Sequence, residues 1–87
     1  MKLLILYHPE GEFSTMVENF VEDCKKKTTQ PIELVSLETA EGASLASVYG
    51  LDDYPCAMII REDGQLVKHW EGSTLPLFDE IMGYLNT

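Results

Sequence analysis

Two cysteines, two histidines and a surplus of carboxylates are the groups in this 87-residue chain that could do chemistry. Cys24 and Cys56 stand 32 positions apart, a spacing that gives neither a zinc motif nor a disulfide framework. Cys56 follows a proline in "YGLDDYPCAMII". A thiol there could be a redox group if its surroundings favoured the thiolate, or a small apolar residue opening a strand. His8, in "HPEGEFST", lies close to Glu10 and Glu12. A histidine beside a carboxylate is a candidate general base or a pH-sensitive hydrogen bond. No nucleophile or metal motif completes a catalytic set around it, so a surface histidine at a strand end is the simpler assignment.

Composition narrows the function classes. Fifteen Asp and Glu against six Lys and Arg give a net charge of −9, which argues against nucleic-acid or anionic-membrane surfaces, since both need clustered cations. The one basic cluster, Lys25 to Lys27, closes a predicted helix, where cations offset the negative end of the helix dipole. With 45% hydrophobic residues and no low-complexity run or repeat, the chain reads as one globular domain. "MKLLILYHPE" reads as a strand rather than a signal peptide, and no run approaches the roughly 18 apolar residues of a membrane span. A cytoplasmic location is the resulting expectation.

The elements that must position these groups follow from periodicity. "KLLILY" is a nearly continuous apolar run, suited to a central strand buried on both faces. Phe13, Met16, Val17, Phe20, Val21 and Cys24 recur at helical spacing. That helix starts either near Glu12 or at a capping box of Thr15 with Glu18. "QPIELVSLE" is a second strand, and "AEGASLASVYG" a short helix ended by Gly50, with Gly42 leaving its first turn open. "CAMIIREDGQLVKHW" reads as a β-hairpin turning at "EDG". Leu75 to Leu85 forms the last helix, with Pro76 in its first turn. The order β-α-β-α-β-β-α predicts an α/β fold: a four-stranded mixed sheet of order 2-1-3-4 with three helices on its two faces. Trp70, at the end of the last strand, suits a contact with the final helix.

At Tyr49, Gly50, Leu51, Tyr54 and Pro55 the chain resembles the thioredoxin family, whose second helix ends in Tyr-Gly and leads through a short loop to a cis-proline. The apolar strand "AMII", the turn "REDG", the strand "QLVKHWEG" and the helix "LPLFDEIMGYL" continue the resemblance over nearly the whole chain. It implies a thioredoxin-like fold for residues 1–87 as a single domain, and a cis bond at Tyr54-Pro55. It also implies a loop that accepts backbone hydrogen bonds from an extended substrate.

The family places its Cys-x-x-Cys motif between the first strand and first helix, where this chain has "HPEGEFST" and no cysteine. In the register where Gly11 precedes the motif, Glu12 and Thr15 stand at the cysteine positions, so dithiol exchange is not carried over. Nor can Cys24 and Cys56 replace it. Cys24 falls about 11 residues along the helix, ~16 Å from its start, whereas a disulfide needs Cα atoms within about 7 Å. Glutathione-binding relatives hold the tripeptide's carboxylates with Lys or Arg. "LETAEGAS" and "LDDYP" carry neither, so glutathione is not expected, nor any other cofactor.

Glu10, Glu12, Asp52 and Asp53 are expected to converge at the proline edge, opposing ionisation of Cys56. As helix-start and loop residues they also have ordinary uses. Their spacing matches no metal motif. The reading is a binding module without catalysis, for a protein or extended and basic peptide, using His8, Glu10, Glu12, Asp53, Tyr54, Pro55 and Cys56. The rival is a single-thiol oxidoreductase or redox sensor working through Cys56. A third role is assembly through the edge strand "QLVKHW".

Overall fold

The computed structural model describes residues 1–72 and 75–85. Its elements are β1 (Lys2–Tyr7), α1 (Ser14–Lys27), β2 (Ile32–Ser36), α2 (Ala40–Tyr49), β3 (Cys56–Ile60), β4 (Leu66–Glu71) and α3 (Phe78–Leu85). They form one four-stranded sheet in the order β2-β1-β3-β4. β1 runs parallel to β2 and antiparallel to β3, and β4 returns antiparallel to β3.

Alternation along the two central strands divides the core. Leu3, Ile5, Ala57 and Ile59 meet Val17, Val21 and Cys24 of α1 and Ile81 and Leu85 of α3. Leu4, Leu6, Cys56, Met58 and Ile60 form the opposite core with Val35 and Leu51, against Leu45, Ala46 and Tyr49 of α2. Side chains in a strand alternate between faces, so apolar runs such as LLIL and CAMII supply both cores at once. Each fully buried Leu or Ile here contributes about 1.5–3 kcal/mol relative to exposure. Trp70 packs edge-on against Tyr84 of α3, with ring centroids 5.9 Å apart.

Several boundaries differ from the sequence reading. β2 ends at Ser36 rather than Glu38, because the chain turns there: Thr39 Oγ1 donates to the Ser36 carbonyl at 2.7 Å. The same hydroxyl accepts from Gly42 N–H at 3.0 Å, making Thr39 the N-cap of α2. The first turn left open by Gly42 is thus helical, and the glycine is what lets it form. A Cβ at position 42 would stand 2.0 Å from the Ser36 carbonyl oxygen. α1 starts at Ser14 with no side-chain cap, so the Thr15–Glu18 capping box does not form.

α3 starts at Phe78, not Leu75. Pro76 is buried ahead of the helix, and a proline disfavours helical backbone at the residue before it. Gly50, at φ 65°, ends α2 in the left-handed conformation, which a side chain would resist.

β4 is an edge strand, the position required for assembly through "QLVKHW". It also carries Lys68 and a register irregularity opposite Ile59 and Ile60, features that discourage edge-to-edge pairing. Among the described residues no helix is long and apolar enough to cross a membrane.

The two helical glycines give opposite expectations. Gly42→Ala should destabilise the fold by about 1–3 kcal/mol through overpacking against Ser36. Gly83→Ala, with open space around its Cβ, should stabilise it by up to about 1 kcal/mol. Urea unfolding of the two variants checks both signs.

Candidate functional site

β1 and β3 bring two chain crossings to one end of the sheet. Leu6 is paired with Cys56, so the β1–α1 turn leaves beside the loop that enters β3. The turn is built by Gly11 N–H donating to the His8 carbonyl at 3.0 Å and Ser14 N–H to the Gly11 carbonyl at 3.2 Å. On the loop side, Tyr54 O–H donates to the Leu51 carbonyl at 2.7 Å, and the Tyr54-Pro55 peptide bond is cis. The segments touch where His8 meets Tyr54 edge to face, with ring centroids 5.5 Å apart.

Between them opens a cavity of about 220 Å³. Its walls are Tyr7, Phe13, Val17, Tyr54 and Pro55, and its remaining lining is His8, Gly11 and Glu12. Tyr7 is held by donating its hydroxyl to Glu18 Oε2 at 3.2 Å. Burial, then that hydrogen bond and the Glu18 charge, raise the Tyr7 phenol above its ordinary range. The Tyr54 phenol is also raised, first by burial and then by the charges of Cys56, Asp52 and Glu71. Both hydroxyls therefore remain protonated donors near neutral pH.

Among the described residues, no backbone hydrogen bond is made by Asp52, Asp53 or Tyr54. β3 itself is paired on both sides from Cys56 onward.

Of the residues singled out in the sequence, His8, Glu12, Tyr54 and Pro55 line one cavity. Glu10 and Asp53 are exposed and do not line it. The expected convergence of Glu10, Glu12, Asp52 and Asp53 does not give a cation site. Among the described residues no group of three or more His, Cys, Asp or Glu side chains could hold a metal ion. All four acids are exposed.

Cys56 does not line the cavity either. It is fully buried and belongs to the core beneath α2, whereas the cavity is walled from the α1 side by Phe13 and Val17. Its thiol is pushed up to about 12, chiefly by burial and secondly by the charge of Glu71, its cross-strand neighbour. The acids expected to oppose its ionisation, those of the loop and the turn, are not the ones that do. Glu71 went unnoticed in the sequence, although an antiparallel hairpin turning at "EDG" carries the strand's last residues back beside Cys56. Glu71 is in turn 2.9 Å from His69 Nε2. Phe13, read as an ordinary helix-face residue, is the other omission. It sits just ahead of α1 and forms a cavity wall.

Cys24 is buried in the opposite core, its thiol also raised by burial, against a lowering by Lys27 and with a smaller raising by Asp23. The two thiols lie on different faces of the sheet and are both free.

A larger cavity of about 450 Å³ opens at the far end of the sheet, over Leu4, Leu45 and Ile60. Lys2 and Arg61 share its rim with Glu41 and Glu62, and Lys2 is already 3.1 Å from Glu33, so its charges favour no one ligand sign.

Element order, sheet order and the placement of the Pro55 loop define a thioredoxin-like fold. Thioredoxin 1 from the thermophilic eubacterium Thermosipho africanus superposes with a TM-score of 0.70 at 13% identity, over 99% of this chain and 91% of its own. The reduced thioredoxin pre-protein of Schistosoma mansoni gives 0.74 at 12%, over 98% and 75%. A thioredoxin from Thermus thermophilus gives 0.62 at 18%, over 98% and 70%. At these identities the likeness concerns the fold. No protein-family model and no curated protein matches the chain.

The thiol chemistry can be tested through stability. Unfolded Cys56 ionises near its ordinary 9.0 and folded Cys56 only near 12, so between these values the unfolded state releases a proton that the folded state keeps. The contribution is intact below pH 9 and is lost as pH rises, at up to about 1.4 kcal/mol per pH unit. Denaturation of the wild type and Cys56→Ala across pH 8 to 12 should show a steeper alkaline loss in the wild type. Equal slopes would mean that the thiol is not desolvated.

Proposed function

We propose that this chain is a binding module on a thioredoxin-like scaffold, taking an extended polypeptide segment along the loop from Asp52 to Pro55, without thiol chemistry. The observation that carries this reading is the main chain of Asp52, Asp53 and Tyr54 beside the cavity, which makes no backbone hydrogen bond among the described residues. N–H and C=O groups that a loop leaves without backbone partners can pair with an extended segment, in which backbone hydrogen bonds supply affinity and neighbouring pockets supply selectivity. The volume agrees. About 220 Å³ is below the roughly 300–1,000 Å³ of typical small-molecule sites, so it suits part of a chain better than a nucleotide or whole cofactor. Charge agrees as well: no Lys or Arg lines the cavity, which disfavours phosphates, nucleic acid and glutathione carboxylates.

The redox alternative requires a thiolate within reach of a partner. Cys56 is fully buried, raised to about 12 and absent from the cavity. Reactive cysteines have the reverse properties, being partly exposed and lowered.

Titration of the 15N-labelled chain with a set of extended hexapeptides of apolar, basic and acidic composition should produce saturable shifts at the amides of residues 51–56 and 8–13. Tyr54→Ala should weaken binding at least tenfold. Cys56→Ala should retain it within about twofold, whereas a mixed-disulfide mechanism would lose it. Absence of any shift in these segments contradicts the proposal.

A further inference from the structure

The lining of the cavity also limits which segment it can select. Five of its residues, Tyr7, Phe13, Val17, Tyr54 and Pro55, present aromatic or apolar surface, and its volume of about 220 Å³ has room for a large side chain. Phe13 is placed by the turn that ends at Ser14, so a hydrophobic wall stands where the sequence carries "EFST". The one formal charge in the lining is the carboxylate of Glu12, which is exposed at the mouth. Among the described residues it forms no salt bridge. An apolar recess with a free carboxylate on its rim complements a large apolar side chain next to a cation.

We propose that the cavity reads a two-part signal in the bound polypeptide: one large aliphatic or aromatic residue that enters it, and a lysine or arginine beside that residue which pairs with Glu12. This rests on the polypeptide reading above and adds selectivity to it. Burying the anchor removes apolar surface from water at both partners. The rim pair remains in solvent, where it sets preference and association rate more than total affinity. An acidic segment of the same shape is disfavoured by repulsion from Glu12 and from the chain's overall charge of −9.

The test uses three acetylated and amidated heptapeptides against the full-length 15N-labelled chain in low salt: Ser-Gly-Lys-Leu-Lys-Gly-Ser, its Leu-to-Ala form and its Lys-to-Glu form. The first should shift the amides of Gly11, Glu12 and Tyr54 saturably. Both altered peptides should bind at least fivefold more weakly. Glu12→Lys should reverse the order of the lysine and glutamate peptides while the spectrum of the free variant stays folded. Equal binding of the leucine and alanine peptides overturns the anchor. Equal binding of the lysine and glutamate peptides, or an order unchanged in Glu12→Lys, overturns the cation preference. In each of these cases polypeptide binding itself survives. If none of the three peptides shifts these amides, and the hexapeptide set also gives no shifts, the underlying polypeptide reading fails together with the selectivity.

Discussion

β3 is buried along its whole length and paired on both sides, to β1 through Leu6↔Cys56 and to β4 through Cys56↔Glu71. A strand held this way cannot slip by one residue without exchanging the faces of every side chain it carries. Its register therefore fixes where the strand begins, and so fixes Pro55 and the loop before it against the turn that leaves β1. The cavity, the His8–Tyr54 contact and the position of the loop from Asp52 to Tyr54 all follow from that placement.

The same register decides the fate of the thiol. In β3, Ala57 and Ile59 face α1 and α3, so Cys56, Met58 and Ile60 must face α2. Cys56 is thereby turned into a dry core, outside the cavity lining, and desolvation holds it as a neutral thiol. Nothing in the β1–α1 turn compensates, since residues 8–13 carry no cysteine. The fold is thioredoxin-like, while the cavity it presents is apolar and aromatic with an acidic rim.

Much of the fold was legible in the residues. LLIL and CAMII announce central strands because both faces are filled, and the spacing from Phe13 to Cys24 announces a helix because only one is. Gly50 marks the end of α2 through the left-handed backbone it adopts. The start of α2 was hidden, because it depends on Thr39 bonding both Ser36 and Gly42 and on a backbone approach that only glycine permits. The start of α3 was misplaced because periodicity at Leu75 to Phe78 is indifferent to the backbone restriction ahead of Pro76. At the site, Tyr54 and Pro55 were legible from local pattern. Glu71 and Phe13 were not, since their roles come from cross-strand pairing and a turn geometry that no spacing records. A shared sheet end, which is what spacing can indicate for the four acids, is a coarser condition than a shared ligand geometry.

Amide hydrogen exchange of the loop tests most directly whether its main chain is open and available to a partner. In the free chain the amides of Asp53 and Tyr54 should exchange within the dead time of the experiment, while those of Met58 and Ile59 stay protected by strand pairing. Addition of a saturating extended peptide should slow the loop amides at least tenfold and leave β3 unchanged. Loop amides already protected in the free chain, or unprotected when peptide is bound, would contradict strand addition at this edge.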